Sequence, residues 1–103
     1  MRKKGDREVV WTDTARQDLV DIGDFLSRVA SVNKAVSVVE RIIQAGQLLT
    51  THALLWRMRN EIFPGARMVM VRPFMVVYHL SATKVYIARV LHGRRNFREI
   101  FKT

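Results

Sequence analysis

The 103-residue sequence contains no cysteine, which excludes a disulfide framework and any thiolate metal site. Only two prolines and five glycines are present, too few for a disordered or fibrous chain. Acids are scarce as well, nine against eighteen lysines and arginines. Neither these acids nor the three histidines show an H-x-x-x-H pattern or a clustered acidic spacing, so no metal or other cofactor is expected. There is no Gly-rich phosphate loop and no Ser-His-Asp arrangement. No apolar run approaches the roughly 18 residues of a membrane span. Met1-Arg2-Lys3-Lys4-Gly5-Asp6 is basic but lacks the apolar stretch of a signal peptide. The expected location is therefore the cytoplasm, with no membrane partner.

What is abundant is apolar side chains, at 49%, and positive charge. The length fits one compact domain, expected to span residues 1–103 with 1–6 flexible and 98–103 a basic tail. The formal net charge is +9 and is unevenly spread. Residues 57–103 carry ten basic and two acidic groups, residues 5–56 five basic and seven acidic. The basic half would attract a polyanion or an acidic protein partner.

Arg7 to Thr12 is short, β-branched and aromatic, and predicts a first strand. Thr12-Asp13-Thr14 supplies a helix start. Ala15, Leu19, Ile22, Leu26 and Val29 then recur at steps of 4, 3, 4 and 3, one helical face, with Phe25 beside them. Asp18, Asp21, Asp24 and Arg28 are assigned to the other face. Ser31-Val32-Asn33 interrupts the run, with Asn33 the expected N-cap. A second amphipathic stretch continues through Ala35, Val39, Ile42, Ile43, Gly46 and Leu49. So short a break predicts an αα-hairpin. Pro64-Gly65 marks a turn. Three strand-like runs follow, Ala66–Val71, Phe74–Leu80 and Lys84–Leu91, separated by Arg72-Pro73 and Ser81-Ala82-Thr83. Connections this short make an antiparallel meander. The fold class expected is α+β, in the order β-α-α-β-β-β, with the hairpin on one face of a small antiparallel-rich sheet. Leu19, Ile22, Leu26, Val39, Ile42 and Leu49 should be buried. Met58, Met68, Met70 and Met75 read as core filler, Trp11 and Trp56 as core or core edge, and the basic tail could form a last short helix.

Beyond the last strand, Gly93 permits a sharp change of direction. Arg94, Arg95 and Arg98 can project as a cluster able to bind phosphates or carboxylates. Arg67, Arg72 and Arg89 lie in or beside strands. Alternation groups Arg89 with Val85, Ile87 and Leu91, and His92 with Tyr86, Ala88 and Val90. Which set faces the helices stays open, as does whether Arg89 is a buried structural arginine. His92 has the pKa range of a catalytic base, although a hydrogen-bonded strand-end histidine is the commoner role. His52 and His79 have no visible catalytic partner.

The opening Val-Val-Trp-Thr-Asp-Thr-Ala-Arg-Gln-Asp-Leu-Val-Asp-Ile and the run Ile-Ala-Arg-Val-Leu-His-Gly-Arg-Arg resemble the ParE branch of the RelE/ParE toxins. Pro64-Gly65 with Arg67, and Val76-Val77-Tyr78, also sit where that family places comparable residues. The resemblance covers about residues 8–97. It implies the toxin of a type II toxin–antitoxin system, involved in plasmid stabilisation and neutralised by a ParD-like antitoxin. An antitoxin helix would lie along the hairpin, and an antitoxin strand could extend the sheet. The ParE branch implies a poison of DNA gyrase that acts by binding and stabilises the gyrase–DNA cleaved complex. Arg89, His92, Arg94, Arg95 and Arg98 are then the target-binding residues. The RelE branch implies instead an endoribonuclease that cuts mRNA on the ribosome, with Arg67, Arg89 and His92 as the catalytic candidates. Cleavage of that type typically uses a tyrosine near the C-terminus. Here Phe97 stands in the tail and no tyrosine follows Tyr86. A phenyl ring cannot transfer a proton, and that departure favours the gyrase reading.

Overall fold

The structure, a computed structural model, describes residues 5–93. Strand β1 (Glu8–Trp11) leads into helices α1 (Asp13–Val29) and α2 (Val32–Gln47) and a single turn, α3 (Leu49–His52). Strands β2 (Arg67–Val71), β3 (Phe74–Leu80) and β4 (Lys84–His92) complete the order. The sheet runs β1-β4-β3-β2. The last three strands pair antiparallel, as their short connections require, and β1 pairs parallel with β4. The sheet is therefore mixed, because the helical hairpin carries the chain back over one face before the meander begins.

Thr12 starts α1 as expected. Its Oγ1 accepts from the Ala15 N–H at 3.2 Å and donates to the Ile87 carbonyl at 2.8 Å. One side chain thus caps the helix and ties the end of β1 to β4. The cap of α2 is Ser31, not Asn33. Ser31 has extended backbone and its Oγ accepts from the Lys34 N–H at 3.0 Å, whereas Asn33 is already inside the helix.

β3 lies between β4 and β2, and Phe74 through Tyr78 are all buried because both faces of the sheet are covered. On one face Phe74, Val76, Tyr78, Val85 and Ile87 pack with Ala15, Val38, Ile42 and Leu49 of the helices. On the other, Met75, Val77 and Leu91 pack with Ile62 and Ala66 from the segment between α3 and β2. Ile42 and Leu49 are buried as expected. Leu19, Ile22 and Leu26 are only half-buried, packed on the core with one side still open; Val39 is half-buried too, while Phe25 and Val29 are exposed. Val20, Phe25, Val29, Val32 and Val36 leave apolar side chains exposed on the hairpin among its charged ones. Met75 fills the core and Met68 is half-buried, but Met58 and Met70 are exposed, since one lies in the loop and the other on an edge strand. Trp11 and Trp56 border the first core.

Candidate functional site

The strongest departure from the sequence pattern lies where β4 outruns β1. The parallel pairing ends at Trp11–Ile87, because Thr12 turns the chain into α1. Pairing of β3 with β4 shifts there too, from Tyr78–Ile87 to Val77–Arg89. Ala88 is the extra residue of a β-bulge, a device that redirects the side chains after it. Simple alternation therefore fails. Val85, Ile87 and Val90 join the helix-side core, and Leu91 joins the opposite one.

Past the bulge, Arg89 meets Asp18. Its Nε and Nη2 donate to the two carboxylate oxygens at 2.8 and 2.9 Å. Asp18 Oδ2 also accepts the Val90 backbone N–H at 2.8 Å. The carboxylate takes the place of the missing strand neighbour and satisfies a strand-edge donor that would otherwise be buried alone. Asp18 is thus a buried residue, not a member of the solvent face to which its charge assigns it. The signal was available. Asp18 is four residues before Ile22, about 40° away around the helix, within reach of the apolar stripe. The hydrogen bonds Arg89 donates to Asp18 raise the pKa of its guanidinium, against an opposing effect of burial.

Arg89 and His92 line one cavity of about 380 Å³, with Asp18, Asp21, Phe25 and Phe74. The His92 ring meets the edge of Phe74 at a centroid distance of 5.7 Å. Arg67 is elsewhere, on β2, and donates to the Trp56 carbonyl. Of the three groups of the nuclease alternative, Arg89 and His92 share this cavity and Arg67 does not join them. Arg94, Arg95 and Arg98 lie outside the described residues.

Two further features had no sequence signal strong enough to find them. Tyr78 is wholly buried and donates its hydroxyl to the Ala53 carbonyl at 2.7 Å, which pins the segment after α3 onto the sheet. Burial pushes its pKa up to about 12, with Arg67 pulling modestly the other way. Between α1 and α2 runs an open groove of about 620 Å³. Its floor is apolar, from Leu19, Val20, Val36 and Val39, with Arg16, Asp24 and Glu40 among its lining residues.

The model of the family described as ParE toxin of type II toxin-antitoxin system, parDE, matches residues 9–97. The chain belongs to the ParE toxin family. Toxin ParE3 of Caulobacter vibrioides is 32% identical over 92 residues, covering 89% of this chain and 80% of that one. The fold is similar to a chain of the chromosomal ParDE system from P. aeruginosa, with a TM-score of 0.77 and 24% identity, over 86% of this chain and 98% of that one. It is also similar to a chain of the toxin–antitoxin complex RelBE2 from Mycobacterium tuberculosis, with a TM-score of 0.63 and 21% identity, over 84% and 98% of the two chains. Within this ParE-family toxin, the Asp18–Arg89 pair and the bulge at Ala88 fix the end of β4, and with it the point from which the basic tail departs.

Proposed function

We propose that this toxin inhibits DNA gyrase by binding, stabilises the cleaved-DNA complex, and is neutralised by a ParD-like antitoxin seated on its helical hairpin. The observation that carries the binding mode is the engagement of Arg89. A general electrostatic catalyst must aim its charge at the reacting phosphate. Here the Nε–Nη2 edge of Arg89 is committed to Asp18, whose carboxylate offsets its charge, and Arg67 is turned to the Trp56 carbonyl. Such groups suit a rigid scaffold that presents the residues following Gly93 to a partner. Family membership supports the same reading.

The antitoxin reading rests on the hairpin groove. Val20, Val32 and Val36 are each more than half exposed, at 54, 65 and 51%. Contiguous exposed apolar surface between two helices is a seat for the apolar face of an amphipathic helix.

Purified toxin with gyrase and supercoiled plasmid should accumulate cleaved DNA, while programmed ribosomes with the same toxin should leave mRNA intact. His92→Ala should weaken gyrase poisoning by no more than about ten-fold, since it removes one binding contact among several and no proton transfer. The runner-up, ribosome-dependent mRNA cleavage, is favoured by one observation, that His92 and Arg89 share a cavity. That reading predicts mRNA cutting that falls about 10²–10⁴-fold in His92→Ala, with gyrase untouched.

A further inference from the structure

The sheet face turned away from the helices is covered only in part. Ile62 and Ala66 close it over Met75, Val77 and Leu91. Towards the start of β4 the burial alternates instead. Val85 and Ile87 are wholly buried against the helices, while Lys84 and Tyr86 stay partly exposed. β4 is a central strand, so this alternation marks an uncovered face. One row of residues crosses it. Val10 of β1 pairs with Tyr86 of β4, and Tyr86 with His79 of β3. The His79 and Tyr86 rings stack, with 5.2 Å between centroids and 20° between planes. Phe63 closes the far side of His79, edge-on at 6.0 Å.

The row is aromatic from Phe63 to Tyr86 and then stops. Beyond Tyr86 stands Val10, too short to cover a phenol ring, and among the described residues no ring stacks on that side. Rings that stack across strands stand upright on the sheet, and neighbouring strands are about 4.8 Å apart. That leaves room for one more flat ring above Val10. The next row on the same face is Glu8 and Lys84. Glu8 holds the Lys84 ammonium at 3.7 Å, and an ammonium has further donors to give. Arg7 adds a second cation, with its Nε on the Ser81 carbonyl at 3.1 Å. A flat ring stacked on an aromatic side chain with cations alongside is the chemistry of a nucleobase and its phosphate. A base inside a duplex has both faces covered by its neighbours, so only an unstacked base can enter. An antitoxin helix fits the aliphatic hairpin groove and is too broad for a slot one ring wide.

We propose that the slot above Val10, walled by Tyr86 and rimmed by Lys84 and Arg7, takes one unpaired base of single-stranded DNA, such as a strand end exposed by cleavage. This rests on the reading that the toxin stabilises cleaved DNA. It supplies what that reading needs, because a binder shifts an equilibrium only by as much as it prefers one state. Sealed duplex offers the slot nothing, and a broken strand does.

The probe is a fluorescein-labelled single-stranded oligothymidylate, titrated into the full chain and followed by anisotropy. An end-free DNA dumbbell with the same number of phosphates is the competitor, and it should compete at least about ten-fold less well than unlabelled single strand. Tyr86→Leu should weaken the single strand by about ten-fold or more, and Tyr86→Phe, which keeps the ring, should restore it. Val10→Phe should block the slot with a ring of the chain's own and weaken binding as much, without touching Tyr86. Lys84→Gln should flatten the logarithmic salt dependence by about 0.7. With gyrase, Tyr86→Leu should accumulate less cleaved plasmid while retaining its complex with the co-expressed antitoxin. Circular dichroism of the variants should match the parent. Equal competition by the dumbbell, or full affinity in Tyr86→Leu or in Val10→Phe, would each overturn the proposal. So would a folded Tyr86→Phe chain that binds no better than Tyr86→Leu, or a folded Tyr86→Leu chain that loses the antitoxin. Intact single-strand binding with no cleaved plasmid from gyrase would sink the proposed target and leave the slot standing.

Discussion

Asp18 accepts three hydrogen bonds with one carboxylate, from Nε and Nη2 of Arg89 and from the Val90 N–H. Removing one member of a buried, hydrogen-bonded pair leaves the other charge without compensation. Asp18→Ala should therefore destabilise the fold by about 3–5 kcal/mol, read from urea unfolding, and Arg89→Ala should be less harmful because it leaves the Val90 bond in place. Equal losses in the two variants would contradict this division. Tyr78 offers a second residue-scale test with a defined pH window. Its pKa is raised from 10 to about 12 by burial. The stabilisation tied to the protonated hydroxyl is complete below pH 10, the pKa of the unfolded chain. Between 10 and 12 the unfolded state has already released the proton and the folded state has not, so stability falls as pH rises. Tyr78→Phe should flatten that alkaline slope. It should also cost about 1–3 kcal/mol near neutrality by leaving the Ala53 carbonyl without its donor. An unchanged slope in the variant would show that other groups govern the alkaline limb.

At the scale of elements, α2 approaches the sheet through Gly46. A Cβ there would land on the Trp11 ring at Cζ2, with Cη2 at 2.9 Å and Ile87 Cδ1 at 3.0 Å. Trp11 is held by β1 and Ile87 by the centre of β4, so neither can retreat without moving a strand. Gly46→Ala gains helix propensity, yet overpacking should dominate, with a net loss of about 1–3 kcal/mol in chemical denaturation. The hairpin, the meander and their order are legible from the sequence because periodicities of 3.6 and 2 are local properties. The bulge at Ala88 is not, because it depends on where β1 stops, and that is set by Thr12 many residues away. Asp18 escapes the pattern for a related reason: its charge argues for solvent, and the partner that holds it inside lies in the last strand. Ser31 and Asn33 are both good caps, and only backbone geometry separates them. Val29 and Phe25 follow the core pattern but face outward, since the hairpin carries a wider apolar stripe than its own sheet can cover.

For the whole molecule, the charge and the apolar groove predict different kinetic signatures. The net charge of +9 acts over distances set by ionic strength, with a Debye length of about 10 Å at 0.1 M salt. It should steer an acidic antitoxin towards the toxin before any contact forms. The groove floor is apolar, from Leu19, Val20, Val36 and Val39, and short-range burial there does not weaken with added salt. Association with the antitoxin should therefore slow steeply as salt rises, while dissociation stays nearly constant. Val36→Glu should do the reverse. Val36 is 51% exposed, so the fold should tolerate the change, and a carboxylate facing the apolar side of a docked helix should speed dissociation by about ten-fold or more with little effect on association. Stopped-flow mixing at several salt concentrations separates the two rates. If salt acted mainly on dissociation, or if Val36→Glu left dissociation untouched, the antitoxin would be held by charge at some other surface and the hairpin groove would not be its seat.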